Sequence, residues 1–380
     1  MAEPTGRLIV GAMSGTSADG VDVALVRVNG RGVGMVAKLV AHRHTPYTDE
    51  LRRLIFSMRG GEAAIRLGDV ARCTREVSLA YADAVNGVLE AAGMPAEHVA
   101  AVAAHGQTVF HAPPDTVQLV DPSLLASRTN CPVVSDFRRA DCAAGGQGAP
   151  LVPFADFVLF RSTDIDRIVL NIGGIANVTC LFRASPALDR VIAFDTGPGN
   201  CISDHLMRRD DPAGPGCDVG GARALRGRIS RLVFDAVRLH PWFEKLGPKS
   251  TDGPEMIGIF EAAVREHDPD LSLEDQLATA AALVAIQVAR ASALFGGQFH
   301  GELIVSGGGV RNRAIMDQIA GWFRREKIRT TDELGVPGEA KEAIAFALLG
   351  AASLDGLPSN VPSATGAKRP VVLGSVTPRP

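Results

Sequence analysis

Residues 194–200 read Phe-Asp-Thr-Gly-Pro-Gly-Asn. A carboxylate at a strand end, Asp195, followed by a stiff Gly-Pro-Gly turn is held in place rather than left to wander. Such a group can take the proton of an attacking water or hydroxyl beside a transferring phosphoryl group. Capping the next helix is the plainer role, and Asn200 is better placed for it. A second stretch, GAMSGTSADGVD at 11–22, crowds hydroxyls and carboxylates into a turn. Backbone N–H groups and small side chains at Gly15, Thr16 and Ser17 can cradle phosphate without excluding it. Asp19-Gly20 is the dipeptide of a two-residue hairpin turn, while Asp19 or Asp22 could also face a metal ion. Ile172-Gly173-Gly174 is a further glycine turn, as is Ser306-Gly307-Gly308-Gly309-Val310-Arg311-Asn312. The latter leads from strand to helix, where glycines let an adenine or ribose lie against backbone. His105-Gly106-Gln107-Thr108 and Asp136-Phe137-Arg138 carry groups that grip a sugar or a carboxylate, Arg138 above all. A core histidine and a solvated arginine are the alternatives. His42 and His44 fall on one strand face with no third ligand in view and read as surface residues.

Several chemistries are excluded by what the chain lacks. No G-x-x-x-x-G-K-[ST] occurs, no G-x-G-x-x-G links a strand to a helix, and Gly11 to Gly15 is not a G-x-S-x-G elbow. The six cysteines (73, 131, 142, 180, 201, 217) include no C-x-x-C pair, which argues against zinc and suits a reducing cytoplasm. A net charge of −3 gives no pull toward nucleic acid or anionic membrane, and 5% aromatics leave little for base stacking. The acidic N-terminus is unlike a signal peptide. The apolar stretch 277–295 is interrupted by Thr279, Gln287, Arg290 and Ser292 and reads as a buried helix rather than a membrane span.

At 380 residues the chain exceeds one ordinary core. Its pattern predicts strands at 7–28 (two, around the first glycine turn), 34–42, 99–104 and 133–137, with helices at 48–58 and 62–92. The same order returns in strands at 167–171, 176–182, 190–194, 302–305 and 328–331, with helices near 217–240, 273–295 and 339–354. Strand-turn-strand-strand, helix, strand, helix, strand thus occurs twice. Glycine turns stand at equivalent strand ends, where α/β sheets bind ligands. Val371-Val372-Leu373 suggests that the proline-rich end docks as a strand.

With these residues in hand, the chain resembles the anhydro-N-acetylmuramic acid kinase family over nearly its whole length. The resemblance rests on MSGTSADGVDVALV, HGQTVFH, DPSLLASRT, DFRRADCAAGGQGAPLVPFAD, LNIGGIANVT, FDTGPGN, PKST, SGGGVRN, KEAIAFALLG and NVPSATGA. It implies an α/β fold of two ribonuclease-H-like (actin-like ATPase) domains, each a mixed five-stranded sheet with helices, facing across an ATP cleft. The expected domains are 1–137 and 138–359, with 360–380 docking back on the first. The implied activity opens a 1,6-anhydro sugar and phosphorylates O6 from ATP and Mg²⁺, with a homodimer as partner state. Asp195 would be the base, with Glu342 as a second carboxylate near the sugar. The ATP site would take in Gly15, Thr16, Ser17, Ala18, Asp19, Gly20, Val21, Asp22, Gly173, Gly174, Gly307, Gly308, Gly309 and Asn312. The implied substrate contacts are Ser14, His105, Gln107, Arg138, Gly197 and Asn200. Where typical members read PKSTGRE, this chain has Asp252-Gly253-Pro254-Glu255 after Thr251. GVPGEAKEAIAFA is also similar to levoglucosan kinases, whereas SATGA favours the muramate branch. A non-catalytic nucleotide switch is the alternative from another class.

Overall fold

The computed structural model describes residues 6–59, 65–183, 187–244, 247, 249–296, 299–324 and 327–380. The chain divides into two units, one of Met1–Leu159, Ala187–Asp189 and Glu339–Pro380, the other of Phe160–Pro186 and Arg190–Gly338. This division differs from the one expected at 137/138. Residues 138–159 and 339–359, with Arg138 and Glu342, belong to the first unit.

In the first unit β1 (Arg7–Ser14), β2 (Gly20–Asn29) and β3 (Val36–Pro46) form an antiparallel meander. β4 (Val99–Ala112) then pairs parallel with β1, and β6 (Val133–Ser135) parallel with β4. β5 (Asp115–Leu119) folds back on β4, and β12 (Ser375–Thr377) adds antiparallel to β6. The sheet therefore has seven strands rather than the expected five. The docked C-terminal strand is Ser375–Thr377, not 371–373, although Leu373 is fully buried.

β1 is apolar along nearly its whole length because both its faces are covered. On one side Val10 and Ala12 share a core with Val77, Tyr81 and Val85 of the helix Leu67–Ala91. The expected start of that helix at 62 falls among residues outside the described set. On the other side lies the helix Lys341–Leu354. A side chain on Gly11 would run into the Ala343 carbonyl and the Ala347 N–H, and one on Gly350 into Ala103. These glycines let helix and sheet meet at backbone distance.

In the second unit β7 (Arg167–Ile172), β8 (Ile175–Leu181) and β9 (Ile192–Pro198) form the meander. β10 (Glu302–Ser306) pairs parallel with β7, and β11 (Ile328–Thr330) parallel with β10. Its order, β11-β10-β7-β8-β9, matches β6-β4-β1-β2-β3 strand for strand and direction for direction. That is the ribonuclease-H-like arrangement twice over. The helix expected at 217–240 is instead two short 3-10 turns and the helix Arg231–Arg238. Gly220 (φ 65°) and Gly221 (φ 71°) break the helical pattern there. The apolar helix Leu273–Phe295 is long enough to cross a membrane, but 67% of its most apolar window is buried and it fills the core of this unit.

Candidate active site

In the first unit the β1–β2 ladder ends at the pair Met13↔Asp22, leaving an eight-residue loop where the sequence suggested a two-residue turn. Asp19-Gly20 does not close it. The turn is at 15–18, where Ala18 N–H donates to the Gly15 carbonyl at 3.2 Å and Ala18 takes the left-handed conformation (φ 49°). Gly20 is required for another reason: a Cβ there would collide with Thr45 and Pro46 of β3.

The loop is fixed through its carbonyls. Gln107 Nε2 donates to Gly15 O at 3.0 Å, and Arg59 Nη1 donates to Thr16 O while its Nη2 reaches Thr108 O at 2.7 Å. Arg52 Nε donates to Ala18 O at 3.1 Å and Tyr47 N–H to Asp19 O at 3.0 Å. With these carbonyls engaged, Thr16 and Ser17 remain exposed at the tip of the loop. Sequence reasoning missed Arg52, Arg59 and Tyr47, because nothing local marks a residue that reaches a loop more than twenty-five positions away. Gln107 is fully buried as a brace, and Ser14 is buried against Tyr81 Oη at 2.8 Å and the Gly106 carbonyl at 3.3 Å. Val21 is buried in the strand core.

Asp22 lies on the sheet face with His44 Nδ1 at 3.1 Å and His42 Nε2 at 3.4 Å, so the two histidines answer a carboxylate. Among the described residues no group of three His, Cys, Asp or Glu could hold a metal ion. Glu342 opens the helix that Gly11 admits onto β1. It is reached by solvent but hemmed in. That loss of hydration raises its carboxyl above the usual range, with Asp22 adding to the rise and Lys341 and Arg138 opposing it. Beneath it, Lys341 Nζ and Asp156 form a buried ion pair at 2.9 Å.

Arg138 Nε donates to His105 Nε2 at 3.0 Å and its Nη1 to the Gly148 carbonyl at 2.8 Å. This bond puts the imidazole proton on Nδ1. Burial and the adjacent guanidinium hold His105 well below its usual range, so it stays neutral. Burial lowers Arg138 to about 10, still a cation at neutral pH. Its Nη2 has no protein partner among the described residues, a donor left over for a ligand.

Asp141 explains why two distant motifs occur in one chain. Wholly buried, it accepts from Gly148 N–H, Asn360 Nδ2 and Thr365 Oγ1, each at 2.8 Å. DFRRADCAAGGQGAP and NVPSATGA are thereby one assembly, behind Arg138.

In the second unit Asp195 sits within β9, not at its end. The β8–β9 register shifts between Ala176↔Gly197 and Asn177↔Asp195, so Thr196 is a bulged residue, and bulges re-aim their neighbours. Asp195 N–H donates to the Lys249 carbonyl at 3.1 Å, and Thr251 N–H donates to Asp195 Oδ2 at 3.0 Å. Burial raises this carboxyl to about 6, against the pull of Thr251 N–H and Lys249. A half-buried carboxylate with that value is ionised at neutral pH and a better base than an ordinary aspartate. After Thr251, Asp252 caps the helix Gly253–His267 by accepting from Glu255 N–H at 2.9 Å, so the departure from PKSTGRE still starts a helix.

The glycine turns of this unit are built for close backbone approach. Gly173 O accepts from Asn200 N–H at 2.8 Å and from Asn200 Nδ2 at 3.1 Å, and Gly174 O accepts from Gly199 N–H at 2.9 Å. Asn200 therefore stands at the start of the helix Cys201–Asp210 without capping it through its side chain. Gly197 (φ 138°) makes room for the Phe243 ring. Gly307 (φ 85°) and Gly309 both pack on Ile172, whereas Gly174 faces open space and Gly308 has only the Arg311 guanidinium within 4 Å. Asn312 Oδ1 caps the helix Arg313–Trp322 through Ile315 N–H at 3.2 Å, so its side-chain oxygen is already engaged.

Comparison with known proteins bears on these two sets of groups. The family described as anhydro-N-acetylmuramic acid kinase matches residues 7–379. The chain is 41% identical to the anhydro-N-acetylmuramic acid kinase of Salinibacter ruber, over 98% of this chain and 96% of that one. It is 38% identical to that of Gloeobacter violaceus, with 99% of each covered, and 39% identical to that of Streptomyces coelicolor, with 97% and 93% covered. Among solved structures it is similar to the activator of the 2-hydroxyisocaproyl-CoA dehydratase from Clostridium difficile with bound ADPNP. That likeness has 13% identity and a TM-score of 0.44, over 91% of this chain and 94% of the other. The match over nearly the full length, with relatives well above 30% identity, places this chain in the anhydro-N-acetylmuramic acid kinase family.

Proposed function

We infer that the protein is an ATP-dependent kinase that hydrolytically opens 1,6-anhydro-N-acetylmuramic acid and phosphorylates O6, giving N-acetylmuramic acid 6-phosphate and ADP in peptidoglycan recycling. The observation that carries the chemistry is Asp195, a strapped carboxylate whose proton affinity is raised to about 6. Asp195 takes one proton of a water whose oxygen bonds to C1. The C1–O6 bond breaks, O6 takes the γ-phosphoryl group, and ADP leaves. Phosphorus captures the leaving oxygen, so no second carboxyl need protonate it, unlike an inverting glycosidase.

The loop 15–20 would hold phosphates on its N–H groups and hydroxyls. The backbone around Gly174 and Gly308, where a ligand meets no Cβ, would take the nucleoside. Arg138 Nη2 would grip the lactyl carboxylate, and Glu342 would take a sugar hydroxyl. Mg²⁺, when bound with ATP, neutralises charge between phosphates and keeps most of its waters. Asp19, exposed at the loop end, fits an outer ligand, whereas Asp22 must first give up its histidines. A cytoplasmic setting agrees with six free cysteines, and we read the assembly as a homodimer. Coupled ADP release with each sugar tests the reading. Turnover of 1,6-anhydro-N-acetylmuramic acid supports it, and turnover of levoglucosan alone overturns it, because that sugar lacks the carboxylate that Arg138 would bind.

A further inference from the structure

The segment 249–251 lies across the edge strand that carries Asp195, and its contacts are more than steric. Lys249 offers its carbonyl to Asp195 N–H at 3.1 Å, and two residues on Thr251 gives its N–H to Asp195 Oδ2 at 3.0 Å. The strap is itself anchored. Lys249 Nζ donates to the Trp242 carbonyl at 3.1 Å and lies 3.9 Å from the centroid of the Trp242 ring. That cation–π contact seats the half-buried ammonium on the Trp242 ring.

The surroundings give that ammonium its leverage. Across the ladder Asp195 faces the uncharged Asn177, and the short helix Pro241–Glu244 supplies Trp242 and Phe243. On the helix Gly253–His267, Glu255 is held by the Thr251 hydroxyl at 2.6 Å and Glu261 by His205 at 2.9 Å. On the helix Leu273–Ala291, Glu274 bonds Arg223, Asp275 accepts the Arg228 N–H, and Arg290 reaches Gln287. The Lys249 charge opposes the rise that burial imposes on the Asp195 carboxyl, alongside the Thr251 N–H.

We propose that Lys249 is a positioning residue for Asp195: through the strap 249–251 it fixes the carboxylate on its edge strand, and its ammonium charge favours the ionised base. This rests on reading Asp195 as the base. The lysine touches no reacting atom in this scheme. It acts by keeping a desolvated aspartate available for proton transfer near neutral pH, where an uncompensated buried carboxyl would remain protonated.

The test is the titration of the Asp195 γ-carboxyl by ¹³C NMR in the full-length protein labelled at aspartate, the resonance being assigned with Asp195→Asn. Wild type is expected to titrate near 6. Lys249→Met should move the midpoint up by about one unit, and Lys249→Gln should do the same should the methionine variant not fold. Lys249→Arg, which keeps the charge, should stay near wild type. The acid limb of kcat/KM for the sugar should follow the NMR midpoint while KM for ATP is unchanged. An unmoved midpoint in a folded Lys249→Met protein overturns the proposal. Failure of the kinase reading shows separately, as absence of sugar turnover by wild type, and the NMR titration does not depend on it.

Discussion

At the scale of single residues, Asp195 combines two properties that pull apart. Its folded value, near 6, lies above that of an unfolded aspartate. The stability this difference represents is fully present below the unfolded value and is lost as pH rises through 6, so at pH 8 the ionised side chain strains the fold. Asp195→Asn should abolish sugar turnover with ATP binding retained and also raise the melting temperature at pH 8, by up to about 2 kcal/mol of stability. Calorimetry and coupled ADP release measure both; a variant that is active, or less stable at pH 8, contradicts the account. Wild-type kcat/KM for the sugar should fall below about pH 6, as the base becomes protonated. The type of this residue was legible in FDTGPGN. Its setting was not, because the bulge at Thr196 and the strap from 249–251 are tertiary features. Ser14, Gln107 and Asn312, polar residues of glycine-rich motifs, each engage a side-chain atom within the protein: Ser14 Oγ with Tyr81, Gln107 Nε2 with the Gly15 carbonyl and Asn312 Oδ1 in a helix cap.

At the scale of elements, the helix Lys341–Leu354 reaches β1 only because Gly11 has no side chain. Gly11→Ala should lift the first turn of that helix, carrying Glu342 away, at a cost of about 1–3 kcal/mol. A lowered urea midpoint together with reduced kcat is expected, whereas an unchanged midpoint would show that the packing has slack. Asp141→Ala should cost about 3 kcal/mol, since it leaves Asn360 and Thr365 without their buried acceptor. A double-mutant cycle with Asn360→Ala should show clear non-additivity, and additive losses would sink the hub. The succession of strands along the chain and the duplicated unit were readable from apolar runs and glycine turns. Sheet width was not. β5 is a short hairpin return on β4 across Pro113-Pro114, and β12 is a three-residue strand whose partner, β6, lies about 240 positions earlier. The 217–240 helix failed for a local reason, the left-handed glycines at 220 and 221.

At the scale of the whole molecule, the chain returns to its first unit after building its second, and the last segment completes that first unit through β12, Asn360 and Thr365. The docking of 360–380 on the first unit was an expectation of the resemblance, whereas composition carries no sign that 138–159 and 339–359, with Arg138 and Glu342, group with it as well. Deleting 360–380 should therefore lower stability, read as a melting transition shifted down by several degrees. The claim that joins residue, element and molecule is that one active protein both opens the anhydro bridge and phosphorylates the oxygen it frees. Incubation with 1,6-anhydro-N-acetylmuramic acid and ATP in ¹⁸O-water, followed by mass spectrometry, tests it most directly. The account predicts a 6-phosphate bearing one ¹⁸O at C1 and none in the phosphoryl group; label in phosphate, or no sugar phosphate at all, would contradict it.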